Sequence, residues 1–414
     1  MKTTLATSLL LSATLVGCTT PDEDGLLPPA GDVTYPIVDT DQVACYDAAG
    51  VIDCGGAVAG QDATYEGFAP AYTDNGDGTV TDLITGLMWQ QDPGAKVTWD
   101  AADAGAASAS TGGYDDWRLP DIKELFSLIQ FSGTDPSTCG PDPDCATVPF
   151  MDDAVFAFEY GDTSAGERMI DSQWATSSLY VDPGMAEMFG VNFADGRIKG
   201  YPTSPMPGQS VGMDYFTIYV RGNTAYGVND FTDNGDGTVT DEATGLTWLQ
   251  QDSGLLDGAA GLLNWQDALA WAEDLEQGGF DDWRLPNVKE LQSIVDYGRS
   301  PGTTDSAAID PVFDASEITD EGGDRDFGFY WSSTTHAADD GSGASASYVA
   351  FGRALGFMES PQSGEVNLID VHGAGAMRSD PKTGDPADWP QGHGPQGDVI
   401  RIYNLVRPVR GGLE

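Results

Sequence analysis

The residues best suited to chemistry in this chain are oxygen donors. Asp74, Asn75, Asp77 and Asp82 fall within one short string, DNGDGTVTD, and Asp233, Asn234, Asp236 and Asp241 hold the same places in a second copy of it. Carboxylate and amide oxygens alternating around glycine suit a hard cation such as Ca2+. The spacing is not that of an EF-hand. With Asp77-Gly78 at the fifth and sixth loop positions, Thr73 and Ile84 stand where the first and last carboxylates belong. Turn aspartates explain the same letters, because Asn-Gly and Asp-Gly are strong turn formers. A Ca2+ site and a plain turn therefore both stand.

A second set lies late in the chain. Glu359 to Asp398 is roughly 40 residues without a helix or strand period, which inside a compact domain marks a disordered or a functional segment. It holds His372, Arg378, Asp380, Lys382, Trp389 and His393. Imidazole, cationic and indole groups on one loop can hydrogen-bond and stack on a ligand, so these six are the candidate binding residues. His372 and His393 with Asp370 or Asp380 also make a thin metal set; two histidines bonded to backbone are the plainer reading. The third histidine is His336. No Ser-His-Asp signature, HExxH or phosphate loop is present, so no catalytic residue is assigned and the chain is read as a binding protein rather than an enzyme.

Both sets sit on a duplicated frame. YTDNGDGTVTDLITGLMWQQ at Tyr72 to Gln91 returns at Phe231 to Gln251, DDWRLP at Asp115–Pro120 returns at Asp281–Pro286, and WATSS at Trp174–Ser178 returns as WSSTT at Trp331–Thr335. Three blocks in one order make two copies of a unit of about 160 residues, long enough for each to bury its own core. Each copy predicts a β-hairpin and two helices. The first helix is capped by Thr98 or Asn264; the second is opened by a capping box at Asp121/Glu124 or Asn287/Glu290. Strand-like runs follow at Met188–Phe193, Phe216–Arg221, Tyr348–Phe351 and Ile400–Arg410. Arg118/Arg284, Lys123/Lys289 and Arg221/Arg410 recur in both copies of a chain with few cations, which marks them as internal ion pairs.

Sixty-six acidic against 18 basic residues give a formal charge of −48, with 40% hydrophobic and 10% aromatic residues. The chain is thus globular rather than an acidic tail, and its charge repels nucleic acid and anionic membrane surfaces. Lys2, the apolar run Leu5 to Val16 and Leu15-Val16-Gly17-Cys18 read as an export signal ending in a lipobox at residues 1–18, with Cys18 lipidated. That tetrapeptide resembles the lipobox of bacterial lipoproteins, and by their rule the next residue, Thr19 rather than Asp, points to the outer membrane; an ordinary signal peptide with a chance cysteine is the plainer reading. No other apolar run reaches the roughly 18 residues of a spanning helix. Residues 19–40 read as a flexible tether and 41–64 as a hairpin clipped by Cys45–Cys54. Cys139 and Cys145 form the second local pair expected in an oxidising compartment.

The blocks DNGDGTVTD, DDWRLP with KEL, the WSST-type strand and the VRGG end resemble the C-terminal domain family of the Legionella collagen-like adhesin, in tandem over Tyr65 to Leu413. That family is similar to the C-type lectin-like fold. The resemblance implies an α+β chain of two tandem C-type lectin-like domains, 65–225 and 226–414, each with two helices and small antiparallel sheets, behind the disulfide hairpin. It also implies surface attachment and recognition of carbohydrate or matrix; the collagen-like adhesin binds sulfated glycosaminoglycans. This chain has no Gly-X-Y tract and the wrong charge for a polyanion, so what carries over is an adhesin-like binding module. A structural envelope protein held by calcium is the alternative. The lectin-like fold also hosts formylglycine-generating enzymes, but their cysteine pair has no counterpart here, since these cysteines lie in a hairpin and an insertion.

Overall fold

The computed structural model describes residues 33–56, 58–139, 147–182, 186–205, 212–360 and 363–412. The expected signal and lipobox at Cys18, the tether up to residue 32, and Cys145 lie outside the described residues. Cys139 is disulfide-bonded, and Cys45–Cys54 closes the N-terminal hairpin as expected.

That hairpin pairs β1 (Cys45–Tyr46) with β2 (Val51–Ile52). The first copy gives β3 (Tyr72–Asp74), β4 (Thr79–Asp82), β5 (Leu87–Gln90), β6 (Val97–Thr98), helix α1 (Trp99–Gly105) and helix α2 (Ile122–Phe126). It continues with β7 (Gln173–Trp174), β8 (Glu187–Asn192), β9 (Arg197–Pro202), β10 (Asp214–Tyr215) and β11 (Val220–Gly222). The second copy repeats the order: β12 (Phe231–Asp233), β13 (Thr238–Asp241), β14 (Leu246–Leu249), then helices α3 (Ser253–Asp257), α4 (Trp265–Glu273) and α5 (Val288–Ser293). It ends with β15 (Glu317–Thr319), β16 (Arg325–Phe327), β17 (Phe329–His336), β18 (Ser345–Ala350), β19 (Leu355–Glu359), β20 (Val366–Asp370), β21 (Met377–Pro381) and β22 (Val409–Arg410). The class is α+β, as predicted. The second copy has three helices rather than two, because Asp252 caps the extra turn α3 by accepting from the Leu255 N–H.

The caps read from the sequence are in place. Thr98 accepts from the Ala101 N–H and Asn264 from the Asp267 N–H. Asp121/Glu124 and Asn287/Glu290 form complete capping boxes. In α4 Trp265, Ala268, Leu269 and Ala272 are buried, on the predicted stripe. Of the expected strand Ile400–Arg410, only Val409–Arg410 forms a strand, with isolated bridges at Asn404 and Leu405.

Each copy closes a four-stranded antiparallel sheet, β11-β5-β4-β3 in the first and β12-β13-β14-β22 in the second. The larger sheet belongs to both. Its order is β17-β18-β21-β9-β8-β7, three strands from each copy, joined where Met377 of β21 pairs Ile198 of β9. This corrects the expectation of two separately packed bodies. The physical cause is an edge: among the described residues β9 has no partner on that side within its own copy, and an unpaired edge exposes a row of backbone donors and acceptors. The long insertion of the second copy supplies β21 to cover it.

One face of this sheet packs into a core common to both copies, where Phe189, Val191 and Ile198 meet Tyr330, Val349 and Met377, with Leu125 of α2 and Leu291 of α5. The other face is covered only at its ends. Met188, Tyr201 and Tyr215 pack with Ala102 of α1, and Trp331, Tyr348 and Ala350 pack with Trp265 and Leu269 of α4.

Two lysines lock the copies reciprocally. Lys123 on α2 donates to the Ser293 carbonyl at the end of α5 (2.7 Å), to Asn229 Oδ1 (2.8 Å) and to the Gly227 carbonyl (3.1 Å). Lys289 on α5 donates to the Ser127 carbonyl at the end of α2 and to the Asp39 carbonyl, both at 2.9 Å. Each helix thus receives a cation at its C-terminus from the other copy. Burial pushes both ammonium groups down to about 8. The recurring arginines form internal pairs, as expected: Arg284 with Glu290 (two bonds of 2.6 Å), Arg118 with Glu124, Arg221 with Asp116 and Arg410 with Asp282.

Residues 33–40, expected in the tether, form a strap instead. Tyr35, Val38 and Thr40 are buried. The Phe131 N–H of the first copy donates to the Thr40 carbonyl (2.6 Å). Gln42 exchanges two bonds with the Thr335 backbone of the second copy (2.7 and 2.8 Å), and Asp62 accepts from Thr40 and Thr334 hydroxyls (2.7 and 2.5 Å).

Arg284 and Glu290 are both almost inaccessible to solvent. Arg284→Ala leaves a buried carboxylate unpaired, so urea unfolding should show a loss of about 3–5 kcal/mol. A loss within the range of surface substitutions, about 0.5 kcal/mol, would contradict the internal-pair reading.

Candidate binding groove

The uncovered middle of the shared sheet is the floor of a groove of about 2220 Å³. It lies where the copies join, so both build it. β9 contributes Arg197 and Lys199, β21 contributes Arg378, and the segment between β20 and β21 contributes His372. Ile198 and Met377 point into the core on one face; strand alternation then sends Arg197, Lys199 and Arg378 to the other. Leu355, Met358 and Leu368 of the β19–β20 hairpin and Met169 and Met213 of the first copy make apolar walls, and Trp389 and His393 line it as well.

The floor is a chain of ion pairs. Arg378 donates to Asp398 Oδ2 and to His372 Nε2. The same Nε2 lies 2.9 Å from Asp398 Oδ1. It either accepts from Arg378 or donates to Asp398, and in both cases Nδ1 has no protein partner. Burial, then Arg378, pushes the ring down to about 4, so it is neutral near pH 7. Burial opposes the Asp398 carboxylate, but Arg378 and His372 outweigh it and hold the group well below the usual range. Next along, Arg197 donates to Asp135 Oδ2 (2.7 Å) and Ser379 Oγ (3.1 Å), and Lys199 donates to Asp195 Oδ2 (2.5 Å). His336 stacks on Phe150 with ring centres 5.4 Å apart, and its Nε2 is 2.9 Å from the Asp195 carbonyl. Burial and Arg197 push this ring also down to about 4.

Two further carboxyls face the groove. Asp370 accepts from the Tyr180 hydroxyl (2.6 Å) and from the Ala354 and Gly373 N–H groups (3.1 Å each), and burial raises it to about 6. Glu187 is raised to about 7 by burial and then by Asp370, and its Oε2 has no partner. Gly200 packs close to the end of Glu187 and to the His372 backbone. A Cβ there would stand 2.6 Å from Glu187 Oε2 and 3.1 Å from the His372 carbonyl, to which the Gly200 N–H donates.

Of the six candidates in the long insertion, His372, Arg378, Trp389 and His393 line this groove, the last two with rings 5.0 Å apart in an edge-on contact. Asp380 and Lys382 do not. β21 runs on from the groove to lie beneath α4, where Asp380 pairs Ala346 and accepts from the Arg401 N–H (3.0 Å). Lys382 sits 3.8 Å over the Trp265 ring and donates to Thr335 (2.8 Å) and the Tyr46 carbonyl (3.3 Å), pinning the N-terminal hairpin. Burial pushes Asp380 up to about 6 and Lys382 down to about 7.

The eight calcium candidates are not gathered into a cage. Asp74 and Asp233 each accept from a Gly76 or Gly235 N–H (2.8 Å). Asp77 and Asp236 accept from the Thr79 and Thr238 hydroxyls (2.6 Å). Asn75 and Asn234 donate to threonine pairs at 2.9 Å. Asp82 and Asp241 are buried and accept from backbone N–H groups of the next turn. One oxygen of each aspartate is used in closing a turn, which Gly76 and Gly78 permit with positive φ of 74° and 86°, while Asp82 Oδ2 has no partner. Among the described residues no group of three or more His, Cys, Asp or Glu is placed to hold a metal.

Sequence reasoning missed the first-copy half of the floor, Asp135, Asp195, Arg197 and Lys199. A signal existed: Arg197-Ile198-Lys199 alternates two of the chain's 18 cations about an aliphatic residue, the period of a strand with one buried face.

Fold and groove together define a class, a duplicated α+β chain whose copies complete one sheet. The chain belongs to the Lcl C-terminal domain family, which it matches twice, over residues 78–209 and 237–369. No curated protein and no solved structure matches it. The second matched stretch ends just before His372, so His372, Arg378 and Asp398 lie beyond it.

The raised carboxyls have a signed consequence. A carboxyl whose folded pKa exceeds its unfolded value stabilises the fold at low pH, and that contribution is lost as pH rises through the folded value. Asp62 is raised to about 7 by burial and then by Asp39, so Asp62 and Glu187 should make Tm fall between about pH 4, the unfolded carboxyl range, and about pH 7. Glu187→Gln should flatten that slope; a thermal melt series with an unchanged slope would count against a buried, unpartnered Glu187.

Proposed function

We propose that this is an exported, lipid-anchored protein of the bacterial surface that binds carbohydrate or matrix in the groove between its two copies, on units related to the C-type lectin-like fold. The work proposed is binding, not turnover. One observation carries the reading: an apolar-walled groove whose ion-paired floor is built by both copies, with Trp389 on its lining for stacking. The location is supported by the family's association with bacterial surface proteins and by the Cys45–Cys54 disulfide, which suits an oxidising compartment. Among the described residues no helix is long and apolar enough to cross a membrane, so in this reading attachment rests on Cys18. The charge of −48 turns away nucleic acid.

A glycan array probed with and without Ca2+ tests this. Specific signal is expected, and Trp389→Ala should weaken it about tenfold, the worth of one aromatic contact, with Tm unchanged. Flat binding in both conditions would remove the claim.

A further inference from the structure

We infer that the groove selects an uncharged, hydroxyl-rich glycan chain and turns away sulfated or uronate-rich polyanions. The inference rests on the glycan reading above and narrows it.

The first observation is that the cations of the groove are already taken. Six of the chain's 18 lysines and arginines line it. Arg197 pairs Asp135 and Asp195, Lys199 pairs Asp195, and Arg378 pairs Asp398. Arg168 pairs Asp171, Arg325 pairs Asp305 and Glu317, and Arg353 lies 3.7 Å from Asp326. At Arg197, Lys199 and Arg378, which form the floor, an anionic ligand gains the cation only by displacing a buried carboxylate, whereas the partners of Arg325 at the rim, Asp305 and Glu317, are exposed. Asp195 is inaccessible to solvent and the Asp398 side chain is 16% exposed. Freeing such a group leaves an uncompensated buried charge, which is strongly unfavourable. His336 and His372, neutral near pH 7, add no positive charge. Glu187, Asp370, Asp182, Asp320 and Asp324 also line the groove, and the whole chain carries −48.

The second observation concerns what the floor leaves unsatisfied. Asp195 Oδ1, Glu187 Oε2, Arg197 Nε and His372 Nδ1 have no partner in the protein. Asp195 is fully buried and His372 is 2% exposed. This is a mixed set: carboxylate oxygens that accept and an arginine N–H that donates. A sugar hydroxyl can do both, and since these atoms are closed to solvent it meets them only where the floor side chains part. A sulfate or carboxylate only accepts; it could meet Arg197 Nε but would face Asp195 with like charge. The hydrogen bonds offered by Asp195 and Arg197 are to charged groups whose charge is cancelled nearby. They are therefore strong without favouring either sign of ligand. The apolar walls at Met169, Met213, Leu355 and Met358 suit the C–H faces of pyranose rings, and Trp389 offers a stacking plane.

The test uses the full chain and immobilised probes: neutral hexasaccharides of gluco, manno and galacto configuration on one side, heparin and chondroitin sulfate on the other, at low and high salt. The inference expects at least one neutral hexasaccharide to bind with an affinity unchanged by salt, to lose about tenfold in Trp389→Ala, and to lose affinity in His372→Gln with Tm retained. It expects no binding of the sulfated chains that exceeds the neutral one. Stronger binding of heparin, falling steeply with salt as polyanion contacts do, would overturn the selectivity while leaving the groove a glycan site. Neutral binding untouched by both variants would overturn its location. Silence of every probe would bring down the glycan reading itself.

Discussion

The backbone pairing of Ile198 with Met377 is the contact on which the rest of the architecture depends. It turns two three-stranded pieces into one sheet of six, and it fixes which side of each strand is covered. Because Ile198 and Met377 face the common core, their neighbours Arg197, Lys199 and Arg378 must face the other way. The two helices covering that side, α1 and α4, stand at opposite ends of the sheet. What remains between them is the groove. The groove is thus not an ornament on either copy; it is the gap left when two partly covered sheets share an edge.

The same joint is braced on the core side and along the strap. The exchange of lysines between α2 and α5 satisfies the last carbonyls of each helix with a cation from the other copy. The strap at 33–40 and Gln42 just after it then tie Phe131 to Thr335 through Thr40 and Gln42. These groups are polar but fully engaged, and a polar group severed from its partner in such a place costs more than the contact was worth. Separating the copies would strand both lysines, the carbonyls they cap and the open edges of β9 and β21 together.

Much of each copy was legible in the sequence, for local reasons. Capping boxes, turn dipeptides and the apolar stripe of α4 are set by residues close in the chain, and Asp121/Glu124, Asn75-Gly76 and Trp265/Leu269 all behave as their spacing predicts. The doubled arginines were legible as internal pairs because a scarce charge kept in one place needs a partner. The relation between the copies was not legible. Repetition reveals that a unit occurs twice; it carries no information about an edge that only the insertion of the second copy can cover. Half of the candidate site followed the same rule. His372, Arg378, Trp389 and His393 stood out as polar and aromatic groups in a long loop. Asp380 and Lys382 looked equivalent to them, and only the course of β21 beneath α4 separates the two sets. The calcium candidates are oxygen-rich letters whose aspartates each spend an oxygen on closing a turn.

If the copies share one core, they must melt as one. Differential scanning calorimetry of the full chain reads this directly. A single transition, with calorimetric and van't Hoff enthalpies in agreement, is the result this architecture requires. Two resolved transitions, each accounting for about half of the heat expected for a chain of this length, would mean that the copies fold separately and that the shared sheet is not what holds them.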